Sequence, residues 1–96
     1  GGVPSATPGT ALGGGTATCS GGGVLFSLEV VVVTGAIGTL AQVVLAKDYA
    51  SAPQVARLSD GGLTGVSETV TGRTLVVSVS SVPSPGTKTL KYLVVG

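Results

Sequence analysis

The chain has 96 residues, of which 43% are hydrophobic and only 9% charged, with five basic and four acidic side chains, a formal charge of +1, and no His, Met or Trp. That length bounds it to one domain with a single thin core, and the scattered cations Lys47, Arg57, Arg73, Lys88 and Lys91 exclude the clustered basic footprint of a nucleic-acid or acidic-membrane binder. Surfaces normally carry about a quarter to a third charged residues, so this one is covered by Ser, Thr, Gly and Ala or by other subunits.

Residues 1–15, GGVPSATPGTALGGG, are rich in Gly and Pro without a period and read as an extended arm or linker. A single knob domain then occupies 16–96. Its first short strand is expected at 16–20, before a loop at Gly21, Gly22 and Gly23. Residues 24–46, VLFSLEVVVVTGAIGTLAQVVLA, are long enough for a membrane-spanning helix. Glu29 inside that span would cost about 3 kcal/mol on insertion scales. The β-branched content suits strands better, and Thr34-Gly35-Ala36 divides the stretch into strands at 24–34 and 37–46. No membrane insertion is expected.

A turn at 48–53 leads to a strand at 54–59, and Asp60-Gly61-Gly62 turns the chain towards a strand at 64–70. Thr71-Gly72 forms a tight hairpin into 73–81, and the loop containing Pro83 and Pro85 precedes a last strand at 87–95. About seven short strands with near-regular spacing predict an all-β fold, an antiparallel β-sandwich of jelly-roll-like form with no substantial helix. Alternation supports it. Leu75, Val77 and Val79 share one face, opposite Thr74, Ser78 and Ser80, and Leu90, Tyr92 and Val94 share another. Residues 28–33, LEVVVV, are apolar on both faces apart from Glu29, which marks Leu28, Val31 and Val33 as an expected oligomer interface.

Little catalytic chemistry is on offer. Without His there is no Ser–His pair, and no motif supports a Ser–Lys alternative. The carboxylates Glu29, Asp48, Asp60 and Glu68 have no spacing that demands an acid–base pair or a metal cage. Asp48 and Asp60 suit local backbone bonding in turns, and Glu29 and Glu68 suit solvent or a cation partner. Cys19 is alone and reads as a small buried hydrophobe. No enzyme activity, cofactor or metal is expected. Outward loops remain as contact candidates, with Tyr49, Asp60 and Arg73 as their most distinctive side chains.

Three pieces in order carry a resemblance: 47–55 (KDYASAPQV) after an apolar strand, 71–75 (TGRTL) leading into a Ser/Val strand, and 91–96 (KYLVVG) on the last strand. This order resembles the small C-terminal β-domain of tailed-bacteriophage surface appendages, of the head-fibre, tail-fibre or capsid-decoration type, over about residues 14–96. The chain has Arg73 where that family commonly places an aromatic. The resemblance implies a virion-surface structural protein, usually a homotrimer, with the arm reaching other virion proteins and the loops facing a host-surface glycan. Two other readings share the fold: a carbohydrate-binding module, which needs an exposed ring such as Tyr49, and a pilus or adhesin subunit, whose N-terminal segment would complete a neighbour's sheet.

Overall fold

The computed structural model describes residues 2–47 and 49–96. Eight strands follow one another: β1 (Ser5–Pro8), β2 (Ala17–Gly21), β3 (Leu25–Val32), β4 (Gly38–Val44), β5 (Gln54–Ser59), β6 (Val66–Thr71), β7 (Thr74–Val79) and β8 (Gly86–Val95). The helical content among the described residues is one 3-10 turn at Thr10–Leu12. The strands form two antiparallel four-stranded sheets, β1-β4-β7-β6 and β2-β3-β8-β5. β3 pairs with β8 while the strands joined to them, β4 and β7, pair in the other sheet. A long antiparallel ribbon is thus folded across both sheets, the winding of a jelly roll, and the all-β sandwich expected from the strand spacing is the architecture found. No helix among the described residues is long and apolar enough to cross a membrane. Residues 24–46 instead supply β3 and β4.

Period-two alternation builds the core. Phe26, Leu28, Val30 and Val32 of β3 point inward, as do Leu75, Val77 and Val79 of β7 and Leu90, Tyr92 and Val94 of β8. Each such side chain removed from water stabilises the fold by about 1.5–3 kcal/mol. The Phe26 and Tyr92 rings lie 5.6 Å apart at 30°, in the tilted arrangement that aromatic pairs favour. Every buried side-chain nitrogen or oxygen among the described residues has a hydrogen-bond partner.

Leu28 requires a correction. Its side chain is fully buried within the single chain, so it cannot touch a neighbouring subunit. Val31 is half-buried on the opposite, outer face of β3, and Val33 just beyond the strand is exposed. Leu28 lies an odd number of residues from both, and strand geometry sends odd separations to opposite faces.

The proposed arm at 1–15 is also corrected. Ser5–Pro8 pairs with β4 in the register Ser5↔Val44 to Pro8↔Ala41, giving eight strands where about seven were expected. The segment then crosses from one sheet to the other. Ala11 and Leu12 are fully buried beneath the crossing, and their carbonyls accept the N–H groups of Ala36 and Val33 in the β3–β4 turn. Gly13 sits at φ +60°, and a Cβ there would fall on the Thr34 backbone. Only glycine combines that conformation with that closeness. The sandwich therefore begins near Pro4, which is itself buried, and not at residue 16.

The two outer faces differ. On the β1-β4-β7-β6 sheet, alternation turns Ser5, Thr7, Gln42, Thr69, Thr74 and Ser78 outward, and no charged side chain among the described residues shares that face. The outer face of β2-β3-β8-β5 is more apolar and carries Glu29 and Lys91.

Candidate functional site

The three sequence pieces that carried the resemblance converge at one pole of the sandwich. Residues 49–53 connect β4 to β5 there, Gly72 and Arg73 turn β6 into β7, and Val95 and Gly96 end β8. Tyr49 is the centre of the group. Its ring is half-buried against the core, with the Lys47 ammonium 5.0 Å from the ring centroid, a cation–π distance. Gly96 lies so close that an added Cβ would strike Cδ1 and Cε1 of that ring and sit 3.4 Å from Pro53 Cβ. The closing glycine of KYLVVG is thus the residue that lets the last strand pass beside Tyr49. Asp48, read as a turn carboxylate, lies outside the described residues.

Two shallow hollows flank the ring. One, of about 260 Å³, is lined by Tyr49, Ser51, Pro53, Gln54 and Gly96. The other, of about 220 Å³, is lined by Gly23, Val24, Ala46, Lys47 and Tyr49. Both present aliphatic and backbone groups, with Lys47 as the charged side chain among these lining residues. Such a surface can hold a small polar or apolar group by contact, and it offers no acid–base pair.

Arg73, read as an outward candidate, is corrected. Its guanidinium folds back and donates from Nε at 3.1 Å and Nη2 at 2.8 Å to the Leu45 carbonyl. The Leu45 N–H in turn donates to the Arg73 carbonyl at 2.7 Å. Arg73 therefore clamps the chain leaving β4 onto the β6–β7 hairpin. Asp60 is exposed at the opposite pole and does what Asp does in turns, its Oδ1 accepting the Gly62 N–H at 2.9 Å.

The densest polar cluster was not assembled by the sequence. On β6, Glu68 shares its inward phase with Val66 and Val70. Its Oε2 accepts the Tyr92 hydroxyl at 2.9 Å and the Arg57 Nη1 at 2.8 Å. The same Nη1 donates to the Val66 carbonyl at 2.9 Å. Arg57 lies on β5 and Val66 on β6, edge strands of opposite sheets, so this cluster stitches one side of the sandwich and satisfies an edge carbonyl. Burial, then the Glu68 hydrogen bond and charge, push the Tyr92 phenol well above its ordinary range. That environment favours a neutral hydrogen-bond donor, not a proton shuttle. Glu68 thus has the cation partner expected of it, while the Tyr92 contact was not foreseen.

No group of three or more His, Cys, Asp or Glu side chains suited to a metal occurs among the described residues. Cys19 on β2 is half-buried, and desolvation pushes its thiol up to about 11. At pH 8 its thiolate fraction is then roughly a hundredfold below that of an ordinary thiol. Alkylation by iodoacetamide should be slower by about that factor than in the urea-unfolded chain. Equal rates would mean that β2 opens readily.

No family model, no curated protein and no solved structure matches the chain.

Proposed function

We propose that this chain is a non-enzymatic structural knob of a bacteriophage virion surface, assembled with itself as a homotrimer and displaying its polar loops outward. The supporting observation is that the single chain fills its core yet leaves nine large aliphatic side chains, from Val44 at 43% to Val82 at 64%, exposed among the described residues. Few charges compensate for them. Contact with further copies would remove part of that surface from water. The virion setting rests on the resemblance of KDYASAPQV, TGRTL and KYLVVG, which here form one packed pole and not three unrelated loops. Residues 4–15 are built into the sandwich, so any contact they make with other virion proteins would be made as part of the folded surface.

A carbohydrate-binding module is less well supported. Sugar recognition stacks on an open aromatic face, whereas Tyr49 is half-buried, with the Lys47 ammonium over its ring. Light scattering after size exclusion tests the assembly: three chain masses at micromolar concentration are expected, and one chain mass would overturn the proposal.

A further inference from the structure

We propose that Arg57 guards the β6 edge against the addition of a further strand, whatever the copy number of the assembled knob. Each sheet ends in two edge strands, and an edge with open N–H and C=O groups is a template for another chain. Three of the four edges are short or irregular. β1 has four residues, with Pro4 before it and Pro8 at its end. β2 has five and closes on Gly21 at φ +101°. β5 carries a register shift between Arg57 and Ser59. β6 has none of these devices. Its six residues, VSETVT, pair with β7 without interruption, and the side chains it turns outward, Ser67, Thr69 and Thr71, are uncharged. A segment so rich in β-formers and so low in charge is the kind that stacks on its own like.

The register shows which β6 groups face that edge. The Gly65 carbonyl accepts the Ser80 N–H at 3.0 Å, and Thr71 faces Thr74 across the two-residue turn, so the odd-numbered residues bond to β7. Alternation in an antiparallel ladder then turns the N–H and C=O of Val66, Glu68 and Val70 towards the open edge. An added strand would lie about 4.8 Å away and bond to those groups. Arg57 already occupies part of that space. Reaching across from β5 of the other sheet, its Nη1 donates to the Val66 carbonyl at 2.9 Å and to Glu68 Oε2 at 2.8 Å. The guanidinium thus takes one acceptor of the row and sets a positive charge on an edge whose own outward side chains carry none. Glu68 anchors it from within, its Oε2 being fixed in turn by the Tyr92 hydroxyl at 2.9 Å. The Arg57 side chain is 30% exposed, so it stands at the rim and not in the core. A strand could add here only by displacing Arg57 and leaving Glu68 without its cation.

The test is Arg57→Ala, which leaves the core and the Glu68–Tyr92 contact in place, so the fold does not hang on it. Parent and variant are agitated at equal concentration, and soluble protein and thioflavin T fluorescence are followed. The variant should leave solution at least about fivefold faster, the factor carried by the one hydrogen bond of about 1 kcal/mol that an incoming strand no longer has to displace. The lost material should bind thioflavin T, as stacked strands do. Arg57→Ala/Thr69→Lys should return to the parent rate, because an ammonium on the outer side of β6 blunts the edge again while restoring neither bond of Arg57. Circular dichroism melting then separates a guard from a brace. Failure of Thr69→Lys to rescue, with a loss rate that follows a lowered melting midpoint, would mean that Arg57 only braces the two sheets, and the proposal would fall. An Arg57→Ala protein that stays in solution as long as the parent would overturn it as well.

Discussion

Deleting residues 2–15 is expected to unfold the domain. β1 contributes four register pairs to the β4 edge, and the following turn buries Ala11 and Leu12 completely. Without that turn, the Val33 and Ala36 N–H groups lose the carbonyls of Leu12 and Ala11. Leu12 alone is worth about 2–5 kcal/mol if truncated to Ala, transfer and cavity included. Adding the lost ladder bonds, at about 1 kcal/mol each, brings the total to the order of the whole stability of a small domain, about 5–15 kcal/mol. The truncated chain should therefore show no cooperative melt by circular dichroism, and Leu12→Ala should show a lower midpoint. A truncated domain melting within a few degrees of the parent would mean that this segment is dispensable packing. It would also restore the linker reading of the sequence.

Glu68→Ala is expected to be the most damaging single change at a polar residue. The Tyr92 ring is fully buried, and its hydroxyl would lose the carboxylate that accepts it at 2.9 Å. An unsatisfied buried donor costs about 1–3 kcal/mol. The Arg57 pair adds at most about 1 kcal/mol, because its side chain is 30% exposed and screened by solvent. Together the loss is about 1–4 kcal/mol, read as a drop in the urea midpoint. Glu68→Gln keeps an acceptor oxygen and should lose less. Tyr92→Phe in the Glu68→Ala background should recover part of the loss, because it removes the stranded hydroxyl. An Ala variant as stable as the parent would show that water serves Tyr92 equally well.

The same contact fixes the sign of an alkaline effect. The folded protein holds the Tyr92 proton more tightly than the unfolded chain does. Below about pH 10, the ordinary phenol value, both states are protonated and the stabilisation is fully present. Above it the unfolded chain sheds its proton while the folded chain resists, so stability falls as pH rises. Cys19 acts in the same direction from about pH 9 upward, since its thiol is also raised.

Much of this fold was legible because alternation is a local property. Leu75, Val77 and Val79, and again Leu90, Tyr92 and Val94, declare an inward face without knowledge of any partner strand. Residues 28–33 show where that reading stops. With apolar side chains on both faces, LEVVVV does not reveal which parity is inside, and Leu28 was grouped with Val31 and Val33 although they cannot share a face. β1 was hidden for another reason. Pro4 and Pro8 frame it, and proline argues against a central strand while remaining acceptable at an edge.

The site was less legible because it depends on pairing between distant strands. Glu68 carried a local signal, sharing the phase of Val66 and Val70, but nothing nearby in the chain named Tyr92, 24 residues away, as its partner. The outward row of Val66, Glu68 and Val70 backbone groups likewise needs the register with β7 before it exists at all. Tyr49 was found as a distinctive loop side chain, while its contact with Gly96 joins a turn to the end of the last strand. Arg73 looked outward because hairpin tips usually do. The Leu45 carbonyl left open at the end of β4 drew it back.

The hydroxyl-rich outer face of the β1-β4-β7-β6 sheet has one more consequence, for behaviour in brine. Dissolved ions screen the field of a fixed charge beyond a Debye length, about 10 Å at 0.1 M and 3 Å at 1 M, and this face has no fixed charge among the described residues for them to screen. Dilute buffer and concentrated sodium chloride should present it with nearly the same environment. Two such faces meeting in solution neither repel nor steer each other over distance, so their approach is governed by the water bound to Ser, Thr and Gln and by the apolar Val44 and Val76 between them. A particle coated with this surface would keep its colloidal character across a wide range of salinity.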